Sequence, residues 1–457
     1  MVRKKFLKRA LPIAVVSSIL IGGMVGEISN PSVQAVEIAE KDPEIKNVIF
    51  LIGDGMGTSY TSAYRYFKDD PSTPYVERTE FDKYLVGQQM TYPDDPKQTI
   101  TDSAAAATAM SAGIKTYNNA IAVDKDKKRV KTVLEAAKEA GKSTGLVATS
   151  ELAHATPAAF GAHNESRKNM DAIADDYYNE MINGEHTVDV LLGGGKTNFV
   201  RSDIDLTKSF QKDGYSYVTN TSELRADDNE QVLGLFADGG LDKMIDRRET
   251  TPSLEEMTQA AIDRLSKNEN GFFMMVEGSQ IDWAGHANDV VGAMSEMEDF
   301  EKAFKAAIDF AKEDKHTLVV ATADHSTGGF SIGADGASNW LVDTVASVKR
   351  TPAFIADQIL KSGKVEESLK LYIDQELFPL TDDEVKSVEN AEKNSEDIEI
   401  AIKKVIDKRS YTGWTTGGHT GEDVPVYAYG PSSENFAGLL DNTDHAKLIF
   451  DIIEGKN

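Results

Sequence analysis

The sequence predicts an α/β protein, a three-layer α/β/α sandwich with a large, mostly parallel central sheet. Two observations support this fold class. Short, continuously apolar runs recur along the chain, which is typical of strands covered on both faces, and helical stretches separate them. The runs are NVIFLIG (47–53), STGLVATS (143–150), VDVLLGG (188–194), GFFMMVEG (271–278), HTLVVATAD (316–324) and VPVYAYG (424–430), and the helical stretches include 130–140, 254–267 and 294–312.

One segment departs from this alternation. Residues 339–410 contain no buried-strand run and are rich in Lys, Glu and Asp, with apolar residues at helical spacing in LVDTVASV, IADQIL and LKLYI. This spacing favours a helical insertion over a long solvated loop. We expect the insertion to cap the functional site or to form an oligomer contact, within a main domain that spans 36–457.

Residues 1–35 have the layout of a secretory signal peptide. A basic start, MVRKKFLKRA, precedes an apolar run, and SVQA supplies a small-x-small pattern. We expect cleavage near Ala35 and a secreted or cell-surface protein. A membrane anchor is the alternative, but the apolar run is short for a membrane span.

The charge of the chain restricts its partners. The 457 residues carry a net charge of −26, and removal of 1–35 takes away five Lys and Arg and one Glu, which leaves −30. Such a surface repels nucleic acid and anionic lipid, so neither is expected as a partner. An anionic substrate would need local positive charge, which metal ions could provide. The chain has no cysteine, so a metal site must use histidines and carboxylates.

Acids and histidines cluster where the predicted strands end, which is where open α/β sheets bind their ligands. A strand-terminal aspartate can instead cap a helix, and Asp282 and His286, four residues apart, could form an ordinary surface pair. Four of the eight histidines nevertheless lie at these ends, which favours one common site. The candidates are Asp54, His154, Thr156, Arg167, Glu277, Asp282, His286, Asp324, His325 and His419.

The stretch QTITDSAAAATAMSAG (98–113) predicts a helix with Asp102 as its N-cap and Ser103 as its first residue. The unpaired N–H groups and the dipole at a helix N-terminus favour an anion. The alanines after Ser103 leave room for a ligand beside its hydroxyl. The alternative is that Ser103 has only a capping role.

Taken together, six blocks of the sequence resemble the alkaline phosphatases. They are FLIGDGMG, TDSAAAATAMSAG, ELAHATPAAFGAHNESR, VEGSQIDWAGHAND, ATADHSTGGF and GGHTGEDVPVYAYGP, in order from about residue 46 to the C-terminus. The resemblance implies a homodimeric hydrolase of small phosphate monoesters of broad range. It also implies two Zn²⁺ and one Mg²⁺ per subunit, a covalent phosphoserine intermediate and an alkaline pH optimum.

The resemblance assigns a role to each candidate residue. Ser103 would be the nucleophile, and Arg167 would bind two phosphate oxygens. His154 replaces an aspartate found in one form of the family and is expected beside the ligands. Trp283 replaces a lysine and either packs under the metal loop or faces the phosphate. One zinc would bind Asp282, His286 and His419, the other Asp54, Asp324, His325 and Ser103, and magnesium Glu277, Thr156 and Asp54.

Two other functions stay open from the residues alone. A phosphodiesterase of the same superfamily is the enzymatic alternative, although Arg167 argues against it, because gripping two free oxygens leaves a second ester group poorly placed. A secreted metal- or phosphate-binding protein without catalysis is the other. A sulfatase would need a C/S-x-P-x-R setting for its nucleophile, and Ser103 is followed by four alanines.

Overall fold

A large sheet organises the molecule. The computed structural model describes residues 44–391 and 393–456, so the predicted signal peptide lies outside the described residues. Across these residues ten strands form the sheet, in the order β16-β2-β15-β10-β1-β9-β3-β6-β8-β7. Their bounds are β1 Asn47–Gly53, β2 Leu85–Met90, β3 Ser143–Glu151, β6 Val190–Gly194, β7 Ser216–Val218, β8 Val232–Leu235, β9 Phe272–Gly278, β10 Thr317–Thr322, β15 Val424–Tyr429 and β16 Gly438–Asp441.

The sheet is mostly parallel, as the sequence predicts. All six apolar runs form strands in it, and β10, β1, β9, β3, β6, β8 and β7 are parallel to one another. Strand β15 runs antiparallel to β10 and β2. The apolar-run pattern misses β2, β7, β8 and β16, because these strands are short or, like LVGQQM in β2, partly polar and exposed.

Six short strands form three two-stranded ladders outside the large sheet. They are β4 Met181–Ile182 with β5 Glu185–His186, β11 Ser326–Thr327 with β14 His419–Thr420, and β12 Ser331–Ile332 with β13 Thr412–Gly413. The pairing of β11 with β14 matters for function, because it brings His419 opposite Thr327.

Helices cover both faces of the sheet. The bounds in the described residues are α1 Thr58–Lys68, α2 Glu80–Lys83, α3 Ser103–Ala112, α4 Val133–Glu139, α5 Ala155–Gly161, α6 Met170–Asn179, α7 Lys196–Phe199, α8 Leu206–Lys212, α9 Thr221–Ala226, α10 Leu254–Leu265, α11 Gln280–His286, α12 Val290–Asp314, α13 Val342–Ala346, α14 Pro352–Ser362, α15 Val365–Tyr372, α16 Asp382–Glu389, α17 Ser395–Ser410 and α18 Asn442–Ile453. The helical stretches predicted at 130–140, 254–267 and 294–312 correspond to α4, α10 and α12.

Alternate residues of the buried strands point into two separate cores, as the pleat of a strand requires. In β1, Ile49 and Leu51 join the core under α1, α10 and α12. Phe50 and Ile52 join the core under α3, α4, α5 and α18. Both faces of the central strands are therefore apolar, which explains their continuous apolar sequence.

The segment predicted as an insertion, 339–410, contains five helices, α13 to α17. Their apolar positions, such as Ile355, Ile402 and Ile406, are buried and belong to the same core as α12. Lys403 of α17 donates a hydrogen bond to the carbonyl of Ala287, directly after α11, at 2.6 Å. The helices therefore lie beside the residues that follow β9. Within the described part of the chain, none of the helices has both the length and the apolar composition that a membrane crossing requires.

His445 of α18 is a fully buried histidine whose two ring nitrogens have no hydrogen-bond partner. Its ring packs against Phe50 and Phe436, with centroid distances of 5.5 and 5.7 Å. Burial lowers the pKa of His445 to about 4, although Asp444 and Asp441 oppose the shift. His445 is therefore neutral in the folded protein at pH values where an unfolded histidine already binds a proton.

We expect the free energy of unfolding of His445→Phe to fall less at acid pH than that of the wild type. Below a pH of about 6.5 the unfolded chain gains a proton at this position and the folded chain does not, so stability falls as the pH falls towards 4. The loss is about 2 kcal/mol at pH 5 relative to pH 8. Urea unfolding of both proteins at the two pH values measures the difference. Parallel stability curves would contradict the assignment.

Candidate active site

The site lies at the carboxyl edge of the sheet, where β1, β9, β3 and β10 end next to one another. Asp54 follows β1, Glu277 lies at the end of β9, and Asp324 follows β10. All three side chains are fully buried. Because these strands are adjacent and parallel, carboxylates that are hundreds of residues apart in sequence meet in one place.

Ser103 begins α3 at this edge. Asp102 caps the helix, since its Oδ1 accepts a hydrogen bond from the backbone N–H of Ala105 at 3.0 Å. Ser103 is 1% exposed, and its Oγ lies 3.2 Å from Nε2 of His325. The small side chains of α3 allow it to pack closely between α5 and α18, which places the predicted nucleophile among the predicted ligands.

Arg167 is held by the same capping residue. Its NH1 donates to Oδ2 of Asp102 at 3.1 Å, and its NH2 lies 3.2 Å from Nε2 of His154. The Arg167 side chain is about one-fifth exposed. Sequence reasoning identified Asp102 only as a cap and missed this second role. The second carboxylate oxygen of a capping aspartate can accept another hydrogen bond, but the sequence does not show which side chain donates it.

Asp282, His286 and His419 form the most accessible part of the site. On α11 Nε2 of His286 lies 3.2 Å from Oδ2 of Asp282, and Nε2 of His419 lies 3.1 Å from Nε2 of His286. The hydrogen bond to Asp282 raises the pKa of His286 to about 9, against the effect of burial. The Asp282 side chain is 4% exposed and that of His286 is 40% exposed, so the site opens towards His286.

Three groups of side chains have ligand atoms close enough to share one metal ion. The groups found in the described residues are Asp54 with Asp324 and His325, Asp282 with His325 and His419, and Asp54 with His154 and Glu277. The first contains the ligands that the family resemblance implies for one zinc, apart from Ser103. The second contains Asp282 and His419 of the other implied set, with His325 in place of His286. The third places His154 together with two expected magnesium ligands.

The donors at these groups fit cations. Among the buried side-chain atoms without a hydrogen-bond partner are both oxygens of Asp54, Oε1 of Glu277, Oδ2 of Asp324 and Oγ1 of Thr156. Burial raises the pKa of Glu277 to about 7 and that of Asp324 to about 6, and burial with neighbouring carboxylates raises the pKa of Asp54 well above its usual range. Unpaired buried carboxylates are costly, and bound cations remove that cost.

Trp283 and His154 lie beside the site and contact each other. Their rings meet edge to face with centroids 5.7 Å apart. Trp283 also lies against Gly240, where a Cβ atom would come within 2.5 Å of its ring. Burial, followed by the charge of Arg167, lowers the pKa of His154 to about 3, so its imidazole is neutral at physiological pH.

A family model described as alkaline phosphatase matches residues 45–454. Alkaline phosphatase 3 of Bacillus subtilis (strain 168) is 65% identical over 454 residues, which cover 99% of this chain and 98% of the relative. The chain belongs to the alkaline phosphatase family. The resemblance found in the six sequence blocks is thereby confirmed, and the protein is a phosphomonoesterase of a metal-dependent family.

Solved alkaline phosphatases share the fold. A cold-active alkaline phosphatase from the psychrophile Shewanella sp. superposes with a TM-score of 0.84 at 43% identity, over 89% of this chain and 99% of that one. A histidine-to-aspartate variant of TAB5 alkaline phosphatase, described with Mg bound in its M3 site, has a TM-score of 0.66 at 31% identity and covers 91% of this chain and 99% of its own. The predicted three-layer α/β/α architecture is confirmed.

We expect chelation to destabilise this alkaline phosphatase and zinc to restore it. Without cations, the buried carboxylates around Asp54 repel one another, and the binding free energy of the ions is lost from the folded state. An ion present at 1,000 times its Kd contributes about 4 kcal/mol. Thermal unfolding before and after dialysis against EDTA, with metal analysis of each sample, measures the effect. Unchanged stability in protein shown to be metal-free would rule out this role for the carboxylates.

Proposed function

We propose that the chain hydrolyses phosphate monoesters to an alcohol and phosphate through a covalent phosphoserine at Ser103, with an alkaline pH optimum. One observation carries the proposal: a buried serine hydroxyl at the N-terminus of α3 lies 3.2 Å from His325, within an otherwise acidic site that Arg167 borders. A nucleophile, an anion-binding helix end and a guanidinium are the parts that phosphoryl transfer needs.

We infer that two Zn²⁺ ions and one Mg²⁺ ion bind per subunit. When bound, they would supply positive charge to the phosphoryl group and lower the pKa values of the serine hydroxyl and of the attacking water. The three groups of side chains whose ligand atoms lie close together support this number of cations. The residues that would hold them are Asp282, His286 and His419 for one zinc, Asp54, Asp324 and His325 for the other, and Asp54, Thr156 and Glu277 for magnesium.

In the first step, Oγ of Ser103 forms a bond to phosphorus while the bond to the alcohol oxygen breaks. The start of α3 directs unpaired N–H groups towards the phosphoryl oxygens, and Arg167 binds two of them. Asp102 keeps the guanidinium in place through its Oδ2. In the second step a water oxygen replaces Oγ on phosphorus, and the serine hydroxyl and phosphate are regenerated. Both nucleophiles need deprotonation, which favours alkaline pH.

His154 and Trp283 are proposed to tune the third metal and the phosphate site. A ring nitrogen of His154 lies close to carboxylate oxygens of Asp54 and Glu277, within reach of an ion held by them. Magnesium prefers oxygen donors, and we infer that His154 makes this set less selective for magnesium than an all-oxygen set. Trp283 brings no charge to the site, and its contacts with His154 and Gly240 support a packing role.

We also propose a secreted or cell-surface homodimer. The signal-peptide layout of residues 1–35 supports export, and the family supports the dimer. On β2 and β16, Leu85 and Leu439 are 56% and 59% exposed, which leaves apolar surface at one edge of the sheet. The molar mass in solution, measured by light scattering, tests the dimer.

Ser103→Ala is expected to abolish the phosphoenzyme and to reduce turnover by several orders of magnitude while the fold is retained. The matched control is Ser111→Ala on the same helix, whose buried hydroxyl donates to the carbonyl of Ala159 and faces no ligand. Acid quench with labelled substrate, followed by peptide mapping, locates the phosphate. Phosphate on a residue other than Ser103 would exclude Ser103 as the nucleophile. Wild-type activity in Ser103→Ala would exclude the phosphoserine mechanism.

Arg167 predicts a preference for monoesters over diesters. Its planar fork needs two free phosphate oxygens, and a second ester group removes one of them. We expect kcat/KM for p-nitrophenyl phosphate to exceed that for bis-p-nitrophenyl phosphate by several orders of magnitude. Arg167→Ala should reduce the ratio by lowering monoester turnover more than diester turnover. Comparable rates for both esters in the wild type would favour a phosphodiesterase.

A further inference from the structure

The hydroxyl of Thr327 touches ligand candidates from both proposed zinc sets. Thr327 lies in β11, two residues after His325, and is fully buried. Its Oγ1 lies 2.5 Å from Oδ1 of Asp282 and 3.3 Å from Nδ1 of His325. Asp282 belongs to one set and His325 to the other, so one side chain bridges the two.

The chemistry of the three groups fixes the direction of both hydrogen bonds. A threonine hydroxyl has one proton, and an ionised carboxylate can only accept, so the proton of Oγ1 goes to Asp282. Towards His325, Oγ1 can then only accept. A histidine that binds a metal is neutral and has one N–H. That N–H must be at Nδ1, and the lone pair of Nε2 faces the site.

The observed position of Nε2 agrees with this assignment. Nε2 of His325 lies 3.2 Å from Oδ2 of Asp324 and 3.5 Å from Oδ1 of Asp54, the other two members of its set. On the Asp282 side, Oδ1 is occupied by Thr327. Oδ1 also lies 3.7 Å from Nε2 of His419, and Oδ2 lies 3.2 Å from Nε2 of His286, so the carboxylate faces both histidines of its set.

The surroundings hold the hydroxyl in this position. The hydroxyl of Tyr60 donates to the carbonyl of Thr327 at 2.7 Å. A Cβ atom on Gly55 would come within 2.7 Å of Oγ1, and one on Gly285 within 2.9 Å of Cβ of Thr327. Backbone without side chains thus approaches Thr327 from two sides. The hydroxyl is therefore shielded from bulk water.

We propose that Thr327 is a positioning residue that couples the two zinc sets, through the directed chain from Nδ1–H of His325 to Oγ1 and from Oγ1 to Oδ1 of Asp282. The proposal rests on the zinc ligands named under the proposed function. Through this chain one hydroxyl selects the tautomer of His325 and holds the orientation of the Asp282 carboxylate. Partners that orient metal ligands in this way change metal affinity by about 10- to 100-fold when they are removed.

The test is zinc titration of the apoprotein with three variants. Thr327→Val keeps the shape and removes the hydroxyl, and we expect both zinc affinities to fall about 10- to 100-fold. Thr327→Ser keeps the hydroxyl and should retain both affinities. Thr144→Val is the matched control, because its buried hydroxyl donates to the carbonyl of Thr187 at the opposite edge of the sheet. Wild-type affinities in Thr327→Val, or loss at one site only, would overturn the coupling.

A second measurement does not depend on activity. ¹⁵N NMR of the histidine rings in the zinc-loaded protein should show a protected N–H at Nδ1 of His325 in the wild type and in Thr327→Ser, and faster exchange of that proton with water in Thr327→Val. An Nε2–H tautomer in the wild type would overturn the proposal. If the wild type lacks zinc-dependent phosphatase activity while the tautomer is as described, the proposed function fails and the hydrogen-bond chain stands.

Discussion

The structure depends on the convergence of buried carboxylates at one edge of the sheet. Asp54, Glu277, Asp282 and Asp324 are all buried, and several of the oxygens of Asp54, Glu277 and Asp324 have no hydrogen-bond partner. Buried carboxylates that lie close together repel one another and oppose folding unless positive charge is present. The strongly acidic chain offers little of its own there, apart from Arg167. Folding, metal binding and phosphate binding are therefore coupled through the same residues.

Around this charged centre, single residues perform two tasks at once. Asp102 caps the helix that carries Ser103 and also fixes Arg167, so the nucleophile and the phosphate-binding group share one support. Thr327 contacts a ligand from each zinc set. Such sharing keeps the distances within the site constant, which phosphoryl transfer requires, because it depends mainly on positioning and charge.

The sheet supplies the rigid base for these contacts. The apolar residues of β1 alternate between two cores, so the strand is clamped on both faces and its carboxyl end cannot shift independently. The helices α13 to α17 extend one of these cores and reach the turn after α11, next to the exposed edge of His286. These helices, which interrupt the alternation of strands and helices, therefore border the open side of the site.

The sequence by itself determined the α/β class, the buried strands, the cap at Asp102 and most candidate ligands. Each of these follows from local spacing, helix propensity or position at a strand end, and the family blocks add the residue roles. Only the tertiary structure decided that Asp102 meets Arg167, that His154 lies with Asp54 and Glu277, and that Thr327 bridges Asp282 and His325. These contacts join segments far apart in the chain, and short polar side chains such as threonine give no periodic signal that would reveal them.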